Sequence, residues 1–223
     1  MIWVLDNLDL IARLALDHLR QSIIAVLFGF VISLPLGWVA WRYQLLRNGI
    51  ITLTGVLYTI PSLALLILVP TALGYSIRSE ANLVVALTIY AVAIMARSVS
   101  DGLDSVDPSI RQAATAVGYG STRRFLVVDF PQAGPVILAG VRVTAASTIS
   151  LATVGILIGV SNLGYLFTNG SERRILPEVF VGVAVVMALA LIVDALLMLT
   201  GRWLMPWTRL EKATRSARSG VPG

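Results

Sequence analysis

Long stretches without a single charge, separated by short polar ones, dominate this chain. Residues 22–41 carry no charged side chain, which meets the roughly 20 residues an α-helix needs to cross a bilayer. Residues 50–73 form a second uncharged run, broken by Pro61 and Pro70. A third covers 83–96 and extends to about Ser100, with Arg97 near its end. The fourth, 136–160, contains Arg142, and the fifth, 179–200, contains Asp194. The pattern predicts an all-α membrane protein with about five transmembrane helices.

The polar stretches have patterns of their own. Over residues 1–21, Asp6, Asp9, Arg13, Asp17 and Arg20 recur at steps of three or four, with Trp3, Leu8, Ile11 and Leu14 between them. Such a segment is an amphipathic helix that lies at the membrane surface or extends the first span. Residues 101–131 are the one long polar insertion. Asp107 followed by Pro108 is a cap and a first helical position, so a helix is expected to start there and to end at Gly118. Ser121 is placed to cap a second helix, and Pro131 closes the insertion. The result is a helix-turn-helix outside the bilayer. Residues 22–207 then form one transmembrane domain. Residues 208–223, with Lys212, Arg215 and Arg218 among Ser and Gly, read as a disordered basic tail.

Composition sharpens this picture. Hydrophobic residues make up 57% of the 223 and charged residues 13%, against about 25% charged in a soluble domain. A net charge of +5 raises the question of nucleic acid, yet the basic residues flank apolar runs instead of forming one stripe. They act as topology signals. On a five-span path Arg42, Arg47, Arg123 and Arg124 gather on one side with the basic tail, while Arg13, Arg20, Arg78, Arg173 and Arg174 lie on the other. The excess side stays inside, which puts the 101–131 insertion and the C-terminus in the cytoplasm and the N-terminus outside a cell membrane crossed several times. There is no cysteine and one histidine, His18, so no multi-histidine metal site, thiol nucleophile or cofactor is expected.

Gln112-Ala113-Ala114, Gly118 and Pro131 resemble the EAA signature of the permeases of binding-protein-dependent ABC importers. The likeness extends to Tyr58-Thr-Ile-Pro-Ser-Leu-Ala-Leu65, Val106-Asp-Pro-Ser109, Pro135-Val-Ile-Leu-Ala-Gly-Val-Arg142 and Leu163-Gly164, which are similar to the branch importing glycine betaine, carnitine and choline. The resemblance covers roughly residues 18–205. It implies a type I importer permease fold and a coupling helix that docks on a separate ATPase subunit. It also implies a second permease, as a copy or a sister chain, and an extracytoplasmic solute-binding protein. Gln112 departs from the glutamate usual in the signature, which keeps an acceptor and loses a charge. The chain has no Gly-x-x-x-x-Gly-Lys-Ser/Thr loop and its one lysine is Lys212, so it does not cradle ATP by that route. Import of another small solute, such as an amino acid, is the alternative within the family. A membrane hydrolase using His18 is the rival class, and no Gly-x-Ser-x-Gly elbow supports it.

Several further residues are candidates for chemistry. Tyr58, Pro61 and Ser62 at the broken second run, and Thr144 and Thr148 in the hydroxyl-rich fourth, are candidates for a translocation path. The hydroxyls also have the option of bonding back to their own helix. Gly29, Ser33 and Gly37, and likewise Gly155 and Gly159, let helices approach closely, within one subunit or across a dimer. Trp38, Trp41 and Tyr43 fall at an expected interface, where an aromatic belt explains them. Arg142 and Asp194 are isolated charges inside spans and each needs a partner. Counting 1.5 Å per residue puts both about 10–12 Å from the inner boundary, and a buried ion pair between the fourth and fifth spans is expected.

Overall fold

The computed structural model describes residues 2–207, so the basic tail of residues 208–223 lies outside the described residues. Helix α1 spans Ile2–Asp6 and α2 spans Leu8–Arg42. Then follow α3, Gln44–Thr59, and α4, Ser62–Leu73, and after them α5, Glu80–Asp104. Three short pieces come next: α6, Pro108–Ala116, α7, Ser121–Arg124, and a π-helical turn, Phe125–Asp129. Helix α8, Phe130–Ala152, passes into a 3₁₀ segment, Thr153–Ile158. The chain finishes with α9, Gly164–Glu172, and α10, Leu176–Leu204. Four of these stretches are long and apolar enough to cross a membrane, and the bent pair α3 and α4 makes up to five.

Of the two courses open to the N-terminal segment, the chain takes the second. Helix α2 continues for 35 residues without a break at residue 21, takes Pro35 into its interior, and ends before the extended Tyr43. The second run is not one straight span. Its two helices meet at 108°, and the break falls at Ile60-Pro61, where Ile60 is extended, as the residue before a proline prefers. Pro70, expected to break the run again, instead sits inside α4. A proline there leaves the carbonyl four residues earlier without its helical donor. That carbonyl belongs to Leu66, and the side-chain amide of Asn82 donates to it at 2.8 Å. Tyr90 likewise donates its hydroxyl to the carbonyl of Ile60 at the bend.

The polar insertion also differs from expectation. Helix α5 runs on to Asp104, and the second helix of the helix-turn-helix is the beginning of the fourth span. Residues Ser121–Ile158 form one continuous 38-residue helical stretch. Pro131 does not close the insertion; it lies in the first turn of α8, directly after the π-helical turn. A widened turn displaces the backbone groups that a proline would otherwise clash with. Ser121 makes no cap bond, and Gly120 is the capping residue.

Helix α5 is the central post, with 56% of its most apolar stretch buried, whereas α10 has only 6% buried and lies on the outside. The small-residue stripe of α2 packs within the subunit. A β-carbon on Gly29 would collide with Ala91, and one on Gly37 would stand 2.5 Å from Val99 Cβ. At the far end of α8, Asn162 is completely buried. It donates to the carbonyl of Ala152 at 2.7 Å and accepts from the Gly164 N–H at 2.8 Å, satisfying the last turn of one helix and the first of the next.

Candidate functional site

The segment of residues 107–119, the candidate for coupling, is built by local signals at both ends. The Asp107 carboxylate accepts from the Ser109 N–H at 2.8 Å, Pro108 occupies the first turn, and this cap holds the carboxyl below its ordinary range. At the other end Gly118 has φ +95°. The Tyr119 N–H reaches the Ala114 carbonyl at 3.1 Å and the Gly118 N–H the Thr115 carbonyl at 3.0 Å. This double closure is a Schellman motif, and it needs a residue at ease with positive φ. Between the ends, α6 buries none of its residues. Gln112 and Ala113 are exposed, Ala114 is half-buried, and Val117 stands 78% exposed. The segment thus presents small and apolar groups outward on a turn of fixed angle.

Its attachment to the membrane helices is polar and was not foreseen. Asp129, at the end of the π-helical turn, is 1% exposed. Arg111 of α6 donates to one carboxylate oxygen at 3.0 Å, and Arg124 of α7 to the other at 3.4 Å. Arg111 also donates to the carbonyl of Leu103 near the end of α5 and lies over the Trp41 ring, 4.9 Å from its centre. Arg124 donates to the Thr115 hydroxyl at 3.0 Å. Beneath them Trp38 meets Phe125 edge-on at 6.2 Å. Trp38 and Trp41 therefore form the floor of this segment, and Tyr43 is half exposed. One signal pointed to the arrangement: Asp129 is the sole acid in the apolar stretch 125–131. Arg124 reads in the sequence only as a topology charge.

The candidates for a path separate into two groups. Tyr58 is half exposed with its ring edge-on to Tyr90 at 6.0 Å, Pro61 is exposed and Ser62 half-buried, so these three gather at the bend between α3 and α4. Thr144 and Thr148 do not join them. Both are buried, and Thr144 bonds back to the Gly140 carbonyl at 2.8 Å, because α8 turns this face toward its neighbours. Arg142 and Asp194 form a bidentate ion pair, at 2.6 and 2.7 Å. It is half-buried and not buried as expected, with side chains 37% and 34% exposed, because α10 packs on the outside. His18 is completely buried, with Nε2 2.8 Å from the Ile149 carbonyl and no hydrogen-bond partner on Nδ1. It ties α2 to α8, and no serine hydroxyl among the described residues hydrogen-bonds to its ring as a hydrolase dyad requires.

The profile of a family described as "Binding-protein-dependent transport system inner membrane component" matches residues 25–209. The chain belongs to this family. It is a multi-pass membrane protein and the permease subunit of an ABC importer. This permease is 30% identical over 198 residues to the osmoprotectant import permease protein OsmW of Salmonella typhimurium, covering 87% of this chain and 92% of that one. It is 32% identical to the choline transport system permease protein OpuBB of Bacillus subtilis, over 85% and 86% of the two chains. To the carnitine transport permease protein OpuCB of Listeria monocytogenes it is also 32% identical, over 92% and 90%. Among solved structures, an amino acid ABC transporter matches with a TM-score of 0.76 at 21% identity, over 90% of this permease and 97% of that chain. The MetNI methionine ABC transporter, in an inward-facing form, matches at 0.71 and 20% identity, over 89% and 96%. The likeness to these two structures concerns the fold.

Proposed function

We propose that this permease carries a quaternary-ammonium osmoprotectant, such as glycine betaine, carnitine or choline, into the cell. The observation that carries the reading is the near full-length likeness to permeases whose names specify osmoprotectants, choline and carnitine. Energy comes from a separate ATPase subunit docked on Gln112, Ala113, Ala114 and Gly118. A second permease, identical or sister, completes the passage. An extracytoplasmic binding protein delivers the solute to the side on which the N-terminus lies. The bend at Tyr58, Pro61 and Ser62 supports a place for it on the path, since it combines an exposed aromatic ring with an interrupted helix. An aromatic face attracts a quaternary ammonium.

Reconstitution with the ATPase and binding protein, followed by uptake of labelled glycine betaine, carnitine, choline, methionine and histidine, tests the reading. ATP-dependent uptake of at least one of the first three, and none of the amino acids, is expected. Uptake of methionine or histidine alone rejects it. A cysteine at Ser171 tests the orientation, because labelling solely from the cytoplasmic side reverses it.

A further inference from the structure

We infer that Asp129 is the positioning residue through which movement of the coupling helix reaches the membrane helices. The inference rests on the reading that residues 108–118 receive the ATPase. Helix α6 buries none of its residues, so apolar packing does not fasten it to the domain. Two of its side chains make specific bonds to other elements, and they converge. Arg111 bonds to Asp129 directly, and Thr115 accepts from Arg124, which bonds to the same carboxylate.

From Asp129 and its arginines the contacts spread to the ends of three membrane helices. Asp129 itself lies at the start of α8 within the fourth span, Arg111 grips the Leu103 carbonyl at the end of the third, and the Trp41 ring lies near the end of the first. A carboxylate withdrawn from water is tolerated when its oxygens are bonded, and removing one partner leaves a buried charge uncompensated. Parting Asp129 from either arginine therefore leaves its buried carboxylate short of a partner. A push on α6 displaces Arg111 and Arg124 together, and Asp129 follows.

What Asp129 stands on favours motion. The π-helical turn Phe125–Asp129 interrupts the regular ladder of the continuous stretch Ser121–Ile158, and such turns are places where a helix changes its winding. Asp129 sits at the junction of the turn with α8. A displacement applied there rotates or tilts α8 relative to α7 without breaking the helix.

The test uses the whole complex in proteoliposomes, with Ser150→Cys, near the outer end of α8 and exposed, as the reporter. Its labelling by an impermeant maleimide is compared without nucleotide and with ATP and vanadate. In the otherwise unaltered complex the labelling rate is expected to change at least fivefold. With Asp129→Asn the change is expected to fall below twofold while hydrolysis stays within twofold. Should Asp129→Asn fail to assemble, Arg124→Gln, which leaves the Arg111 bond in place, is expected to lose at least half of the change. A wild-type response in the assembled variant overturns the inference, even if that variant melts at a lower temperature, since it marks the ion pairs as merely structural. Ala113→Cys cross-linking to the ATPase separates the two levels. If no cross-link forms, the docking reading fails and this inference with it; if it forms and Asp129→Asn responds as wild type, this inference alone fails.

Discussion

Gly118→Val isolates the turn of the coupling segment from everything else. No atom lies within 4 Å of a β-carbon at Gly118, so the substitution removes no contact and causes no clash outside its own backbone. What it changes is conformational. An L-residue in left-handed backbone costs about 1–2 kcal/mol, and a β-branched one stands at the upper end. Escape to negative φ gives up the Tyr119-to-Ala114 and Gly118-to-Thr115 bonds, each worth about 1 kcal/mol net. Either route costs enough to shift the turn population roughly tenfold or more, since 1.4 kcal/mol is a factor of ten. The turn then loses its fixed angle while the membrane helices are untouched. Gly120→Val is the matched control, because Gly120 has φ −66° and ψ 159°, ordinary for any residue, and also has nothing within 4 Å. The assay is ATP hydrolysis and solute uptake by the reconstituted complex. Gly118→Val is expected to insert normally and to lower uptake per ATP severalfold, and Gly120→Val to match wild type. Equal, wild-type coupling in both variants refutes the reasoning.

Three further outcomes follow from the packing and the polar contacts. Gly37→Ala places a β-carbon 2.5 Å from Val99 Cβ and 2.8 Å from the Ala96 carbonyl. It should destabilise the detergent-solubilised protein by about 1–3 kcal/mol, whereas Gly49→Ala, with nothing within 4 Å, should not; equal melting temperatures contradict the close packing. For the ion pair, Arg142→Met and Asp194→Leu should each lower the melting temperature, and the double variant should lower it by less than their sum; strict additivity rejects coupling. The depressed pKa of Asp107, set by its bond from the Ser109 N–H, makes its contribution complete above the ordinary carboxylate range. That contribution is lost as pH falls through the lowered value, so hydrogen exchange at residues 109–111 should quicken only in acid, and Asp107→Ala should abolish the dependence.

The start of the helix at Pro108 and the turn at Gly118 were legible because their signals are local. Asp107-Pro108 and Gly118 act through bonds to residues two to five positions away, and a sequence displays those directly. Faces were not legible. In a membrane the lipid-facing and neighbour-facing sides of a helix are both apolar, so hydrophobic periodicity does not say which side is buried. Thr144 and Thr148 therefore read as path residues and proved to be packed inside, while the bend at Tyr58 was reachable through Pro61. Asp129 was missed for a related reason: its meaning depends on Arg111, 18 positions earlier, folding back onto it. The pairing of Arg142 with Asp194 was accessible because two isolated charges at similar depth leave few partners. Its partial exposure depends on α10 lying outermost, which no residue in α10 announces.

The carbonyl freed by Pro70 offers the most direct check on why α4 has its observed place. Proline at 70 cannot donate to the Leu66 carbonyl, and in hydrocarbon no water takes over. Asn82, completely buried, supplies the missing donor at 2.8 Å and spends a second N–H on the Ile77 carbonyl at 2.9 Å. Asn82→Leu keeps a similar volume and leaves the buried Leu66 carbonyl bare, at about 1–3 kcal/mol, while the carbonyl of the more exposed Ile77 loses its partner at no greater cost. Pro70→Ala restores a backbone N–H at position 70, able to bond Leu66 within the helix. In that background Asn82→Leu orphans the Ile77 carbonyl alone, so its cost should fall by about half or more. A double-mutant cycle on thermal unfolding in detergent measures the difference. If Asn82→Leu costs the same with proline or alanine at position 70, the amide is not standing in for the helical bond. The placement of α4 against α5 then rests on the apolar contacts of Leu65, Leu66, Leu83 and Leu87 alone.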